Sequence, residues 1–435
     1  MKHYKVHIKN SLLIYLIIGC TTVQAQESLL LKDAITITLE KNYDVQVAKL
    51  TTRQAEINNS AGEAGMLPVV SLDGNYSKTD LNLKQNLADG RVIEQDGAAS
   101  TLYNASAGLN WILFDGLTMF ARKERLGSFA EESRLTMKLQ MEGAIQQVIA
   151  AYFAVKVEEE NLKTLAALLK VDSIRVVLAE ARLEAGNGSK PAVLQAKLEQ
   201  NLHLAQKLER KSALLTQMEN LNILLGRDPS ILFTATDSIV IGSVTIDESS
   251  RNNDLRLRLA EQQKRTAFQW LQENKGARWP VLTLNADYSF NKTENEAGFL
   301  LENQNFGPGI GLNFRWNIFN GFRTNRLIKN AELNLQIAET MQMEVLSIRQ
   351  QAEKKLIREF NDRISMIALE EQSSIMAAEN LNIVLERLRS GLSTSLEIQE
   401  AQRSYQDAVG RLLSAKYNAK IAETEILRLK GELLK

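Results

Sequence analysis

The chain has 435 residues, with 52 Lys and Arg against 52 Asp and Glu, and 44% of it is apolar. A formal charge of zero argues against a general nucleic-acid binder, and this apolar content excludes a chain disordered by composition. Five prolines leave room for very long helices, and the single cysteine, Cys20, excludes an intrachain disulfide.

Residues 1–25 read as a secretory signal. Lys2, Lys5 and Lys9 precede the apolar run Leu12 to Ile18, and Val23-Gln24-Ala25 is a small-residue cleavage site. Ile17-Ile18-Gly19-Cys20 offers an alternative, a lipoprotein signal with Cys20 acylated. Loss of the signal removes His3 and His7 and leaves His203 alone. One histidine cannot build a multi-His metal site or activate a cysteine nucleophile, so His203 reads as a helix-surface or interhelix residue. No run of eighteen apolar residues follows, so an exported chain of this kind would sit in a membrane only as a barrel.

After the signal, Leu31 to about Met66 reads as a helix. Val69 to Ser77 alternates Val70, Leu72, Gly74 and Tyr76 with polar neighbours, the period of a strand with one apolar face. The polar stretch Lys78–Ser100 is expected to be an extracellular loop. A second strand sets Tyr103, Ala105, Ala107, Leu109 and Trp111 against Asn104, Ser106, Gly108 and Asn110. From Leu117 to Ala185 no proline interrupts apolar spacings of three and four, with Leu162, Leu165, Leu169 and, after an interruption at Asp172, Val176 in one stripe. Gly186 ends this helix, Ser189 caps the next, and Lys190 to Leu225 completes a hairpin. Gly186-Asn187-Gly188-Ser189-Lys190 is not a phosphate loop, because Lys follows Ser and no strand precedes it.

The second half repeats this order. A helix is expected from about Ile246 to Trp279. A strand with Leu282, Leu284, Ala286, Tyr288 and Phe290 on one face follows, then a polar loop Asn291–Gln304. A strand with Ile310, Leu312, Phe314, Trp316 and Ile318 on one face comes next. A long helix, Thr324 to Arg389, a turn at Gly391 with Thr394 as cap, and a helix from Ser395 to Lys430 complete the half. Trp111-Ile112-Leu113-Phe114-Asp115-Gly116 matches Trp316-Asn317-Ile318-Phe319-Asn320-Gly321 at an offset of 205; Pro68 and Pro280, like Tyr76 and Tyr288, stand 212 apart. The halves are read as 26–226 and 248–435, with 227–247 as connector.

The apolar strand faces have the length that crosses a bilayer, with Tyr76, Trp111, Tyr288 and Trp316 as interface aromatics. Gly116 to Gly186 would span about 105 Å as helix. Four strands cannot close around an aqueous lumen, so two, three or four copies, with 8, 12 or 16 strands, must pool theirs. An exported coiled-coil scaffold with small soluble sheets is the competing reading.

At these residues the chain resembles the TolC-type outer-membrane efflux proteins. The resemblance rests on Leu67-Pro68, the doubled Trp-x-x-Phe-Asp/Asn-Gly, the turns Gly186-x-x-Ser189 and Gly391-x-x-Thr394, and Leu224-Leu225-Gly226. It implies an α+β membrane protein with long antiparallel α-helical hairpins forming a periplasmic tunnel. Four transmembrane β-strands per chain would make a 12-stranded barrel as a homotrimer in the outer membrane of a Gram-negative-type bacterium. It implies a non-catalytic exit duct without cofactor or metal, serving tripartite efflux or type I secretion. The partners would be a periplasmic adaptor at the tips Gly186, Ser189, Gly391 and Thr394, an inner-membrane transporter of RND, ABC or MFS type, and outer-membrane lipid. Glu397 and Glu400 match the carboxylates that ring the tunnel entrance. The sequence departs from the family pattern in having Glu where Asp is common, and Ser393 where an Arg is common.

Overall fold

A computed structural model describes residues 27–243 and 253–434. The signal of 1–25 with Cys20, the end of the connector and the first residues of the second half lie outside the described residues. In chain order the elements are β1 (Glu27–Leu29), α1 (Leu31–Lys41), α2 (Tyr43–Asn58), β2 (Val69–Asn86), β3 (Val92–Phe114), α3 (Thr118–Glu184) and α4 (Lys190–Leu224). They continue as β4 (Phe233–Ala235), α5 (Leu255–Gly276), β5 (Val281–Asn295), β6 (Glu302–Arg315), α6 (Arg323–Arg389) and α7 (Ser395–Leu429). No described helix is long and apolar enough to cross a membrane.

The long helices α3 and α6 have 67 residues each, about 100 Å at 1.5 Å per residue. Next to the strands, α2 packs on α3, α3 on α5 and α5 on α6; the antiparallel sheet has the matching order β2-β3-β5-β6. Beyond the middle of the long helices, α4 takes the place of α2 and α7 that of α5. The chain is therefore a wall one helix thick, with the sheet at one pole and the turns 185–189 and 390–394 at the other.

Two sequence expectations are corrected. The segments Lys78–Ser100 and Asn291–Gln304 are mostly strand: β2 runs on to Asn86, and only 87–91 turn before β3 begins at Val92. Polar residues continue the ladder because outside a bilayer neither face needs to be apolar; Lys84 pairs with Glu94 at 3.0 Å across these strands. The helix from Leu31 breaks at Asn42 and ends at Asn58. The Asn42 side chain caps α2 by accepting from Val45 N at 3.1 Å, and donates to the Leu224 carbonyl at 2.8 Å. The expected start of α5 near Ile246 lies outside the described residues; its N-cap is Asp254, which accepts from Arg256 N at 2.9 Å and from Arg349 Nε at 3.0 Å.

These breaks let the two short helices of each half fit beside one long one. At the joint, a Cβ on Gly226 would lie 2.3 Å from the Lys41 carbonyl oxygen, and one on Gly431 would lie 2.5 Å from that of Asn253. The largest apolar core sits at this level. Tyr152 and Phe153 of α3 pack with Leu221, Leu225, Leu29 and Phe233, where β1 pairs in parallel with β4. The Tyr152 hydroxyl lies 2.8 Å from both the Leu29 carbonyl and the Asp237 carboxylate.

Two predictions follow from the joint. Gly226→Ala meets backbone and a left-handed φ of 65°, and should cost more than about 3 kcal/mol. Gly186→Ala at the open tip carries only the left-handed cost of about 1 kcal/mol. Thermal unfolding of the two variants should rank them in that order. Burial pushes the Glu142 carboxyl of α3 up to about 7, with Arg428 opposing the shift and Asp254 adding to it. A folded-state value above the ordinary 4.5 means the native chain holds this proton more tightly than the unfolded one. The stability so gained is full below 4.5 and is lost as pH rises to about 7. Glu142→Gln should flatten that slope, on the order of 3 kcal/mol, and raise the melting temperature at pH 8.

Candidate functional site: the sheet faces and the hairpin tips

The strand register aligns the apolar residues of all four strands. Val70, Leu109, Ala286 and Ile310 form one row, and Leu72, Ala107, Tyr288 and Pro308 the next. No described residue covers this face: Leu72 is 85% and Ile310 82% exposed. From Tyr103 to Trp111 the face runs about 27 Å along the strand, or about 20 Å once a barrel tilt is allowed for, close to an outer-membrane apolar band. Among the described residues of β2–β6 this leaves an apolar band with polar strand ends beyond it, where Lys292 pairs with Glu294 at 2.6 Å.

The other face carries amides, hydroxyls and glycine. Asn75, Asn104, Asn291 and Asn305 share one row. Asn104 donates to Asn291, and Asn291 to Asn305 at 3.2 Å. Lower on this face Asn110 donates to Asn285 at 2.7 Å.

Of the four aromatics, Tyr76, Trp111 and Tyr288 fall on the apolar face, and Trp316 follows the last residue of β6. The Tyr76 ring lies 5.3 Å from that of Tyr103 at one end of the band. Tyr288 faces Ala107 and Pro308. Trp111 and Trp316 mark the other end, and each has a second task that sequence did not reveal. Trp111 Nε1 donates to the Met66 carbonyl at 3.0 Å, and Trp316 Nε1 to that of Arg278 at 3.1 Å. Each indole fastens the end of its hairpin to the segment that enters it.

At the opposite pole both long helices end in the same motif. Gly186 has φ 74° and Gly391 φ 77°. Asn187 N donates to the Arg182 carbonyl at 2.9 Å, and Leu392 N to that of Arg387 at 2.8 Å. Ser189 precedes α4 without a side-chain cap bond, whereas Thr394 closes a capping box with Glu397. Glu397 N donates to Thr394 Oγ1 at 3.2 Å, and Glu397 Oε2 accepts from Thr394 N at 3.1 Å. The Ser393 hydroxyl also donates to Glu397, and is the main reason its carboxyl is held below the ordinary range; the Thr394 N–H and the Arg387 charge act the same way. Glu397 and Glu400 are both exposed on α7.

The two tips lie side by side. Arg182 of α3 donates to the Leu388 carbonyl at the end of α6, and Asn187, Ser189, Thr394 and Ser395 line the cleft between them. About three turns above, a buried polar cluster joins three helices. His203 Nδ1 of α4 lies 2.6 Å from Asp172 Oδ2 of α3, and Gln402 of α7 donates to Asp172 Oδ1 at 2.8 Å. Arg175 donates to Gln402 Oε1 at 2.7 Å, to Ser395 Oγ at 3.1 Å and to Glu199. His203 is thus an interhelix residue. The one sequence sign of this cluster was Asp172 interrupting an apolar stripe.

A model of the family described as outer membrane efflux protein matches residues 34–227 and 248–432. Outer membrane protein TolC of Vibrio cholerae is 23% identical over 304 residues, 67% of this chain and 68% of that protein. The fold is similar to that of the Campylobacter jejuni CmeC outer membrane channel, at 16% identity and a TM-score of 0.75, covering 92% of this chain and 85% of that one. It is also similar to the open state of the Neisseria gonorrhoeae MtrE outer membrane channel, at 19% identity and a TM-score of 0.69, covering 93% and 89%. The family match spans both the sheet and the tips, and the chain belongs to the outer membrane efflux protein family, an exit duct seated in the outer membrane and reaching into the periplasm.

Proposed function

We propose that three copies of this chain form the passive outer-membrane duct of a tripartite efflux or type I secretion system. An inner-membrane transporter of RND, ABC or MFS type supplies the energy, and a periplasmic adaptor links the two. The observation that carries this reading is the four-stranded sheet, with an uncovered apolar face and two unpaired edges, on helices about 100 Å long. A soluble scaffold would cover that apolar face, and no described element does.

In this reading the chain is built from two repeats, 26–226 and 248–435, and catalyses nothing itself. Tyr76, Trp111, Tyr288 and Trp316 sit at the membrane interfaces. The tips at Gly186, Ser189, Gly391 and Thr394 receive the adaptor, supported by their exposure and by the cleft between them. Glu397 and Glu400 ring the tunnel entrance as six carboxylates around the threefold axis. The capping box favours the ionised form of Glu397, so half of that ring keeps its charge as pH falls toward the ordinary carboxylate range.

Protein extracted in detergent should run as a heat-modifiable trimer and form channels in planar bilayers; a monomer without channels would overturn the proposal. Glu400→Gln should lower cation over anion selectivity at least twofold with conductance retained. Glu397→Gln should do the same, with the capping box kept because the amide oxygen still accepts from Thr394 N. Unchanged selectivity in both would remove the pair from the entrance. A cysteine at Ser189 should crosslink the adaptor in the native host.

A further inference from the structure

We infer that β6 of one copy joins β2 of the next in a single register, in which Arg315 faces Asp73 of the partner subunit. This rests on the trimeric duct and goes beyond it by naming the residues of the seam.

The two hairpins of the chain are the same unit. Val69 pairs with Asn110 in the first and Val281 with Arg315 in the second, the offsets of 212 and 205 found in the sequence. The chain also shows how two such units join, because β3 pairs with β5 through Asn110 opposite Asn285, Trp111 opposite Leu284 and Ala107 opposite Tyr288. The outer edges, β6 and β2, are the counterparts of β3 and β5. Carried to those edges by the same offsets, the joint places Arg315 opposite Asp73, Trp316 opposite Leu72, Leu312 opposite Tyr76 and Asn313 opposite Asn75.

Three features of the side chains support that alignment. It sets apolar residues against apolar and polar against polar, which any slip by one residue would reverse. The Trp–Leu pair of the inner joint recurs. The third feature is charge. Arg315, Asp73 and Asp287 are the charged residues on the polar face between the two ends of the apolar band, and the first two lie on opposite free edges. Arg315 makes no side-chain hydrogen bond or ion pair with the described residues, and Asp73 accepts only the Ser71 hydroxyl, at 2.8 Å.

The alignment also gives a barrel that can close. Followed across the sheet, Asn75 leads to Asn104 and then Asn291, whose counterpart on β2 is Thr79. Each half therefore advances four residues along the strands, and such a stagger is what tilts strands in a closed barrel. The joint inside the chain is made with an uncharged amide pair. The joint between copies uses opposite charges, so that β6 and β2 attract each other while two β2 edges or two β6 edges repel.

The test is cysteine crosslinking of the full chain purified in detergent. Asp73→Cys with Arg315→Cys, oxidised with copper phenanthroline, should give covalent dimers and trimers on a non-reducing gel, at least fivefold above Ser71→Cys or Asn75→Cys with Arg315→Cys. Single-cysteine variants control for Cys20. Stronger linkage from a shifted pair would overturn the register while leaving the trimer intact; wild-type protein that is monomeric would overturn the trimer as well. Independently, Arg315→Asp and Asp73→Arg should each reduce the heat-sensitive trimer at least threefold, and the double exchange should restore it to within twofold of wild type. A double variant no better than either single one would sink the ion pair.

Discussion

An unpaired strand edge cannot be left in hydrocarbon, and the rest of this molecule is arranged around that constraint. β2 and β6 each present a free row of N–H and C=O groups on a sheet whose one face is apolar and uncovered. Each such group left without a partner in lipid costs several kcal/mol. The sheet is therefore part of a larger closed object rather than a domain. The helical wall continues it in the same order, with α2 and α6 at the edges that β2 and β6 occupy above. Sheet and tunnel must close together, because each half's helices enter and leave its strands directly.

A wall one helix thick cannot rely on a large core. Its apolar clusters are small and separated; the two largest lie at the middle around Tyr152 and Phe153 and near the tips around Leu168, Leu385 and Ile398. Polar side chains fasten the stretches between. The Arg175–Asp172–Gln402 cluster ties α7 to the α3/α4 hairpin just above the tips, and Arg349 ties α6 to the start of α5. Full burial makes those bonds more than surface pairs, since breaking one leaves an uncompensated charge away from water.

What was legible in the sequence follows from this construction. The long helices showed because proline is absent and apolar spacing of three and four persists. The strands showed only where a bilayer demands one apolar face. Beyond Ser77 and Phe290 both faces meet water, the alternation fades, and the same strands read as loops although the ladder continues to Asn86 and Asn295. The break at Asn42 was hidden because its cause is the Leu224 carbonyl, 182 residues away. His203 could be excluded from chemistry by counting, yet its partner Asp172 belongs to another helix and appeared only as a fault in a stripe. From sequence, Trp111 and Trp316 read as interface aromatics. Their indole bonds to Met66 and Arg278 depend on how each hairpin folds back onto its entry segment.

Glu397 shows why the tip resists a reading from sequence alone. An acid three residues after Thr394 is what a helix start requires, and an acid at that place is also what a ring at the tunnel mouth requires. The geometry satisfies the first demand and is compatible with the second, because only one carboxylate oxygen, Oε2, serves the capping box. The two hydrogen bonds that fix the side chain, from the Ser393 hydroxyl and Thr394 N, also hold its proton off. A residue used in this way carries a charge at a set position, where a free side chain would carry one that wanders. Glu400, one turn on and exposed, has no such restraint. If both line the entrance, the fixed charge sets where cations gather and the loose one how tightly they are held.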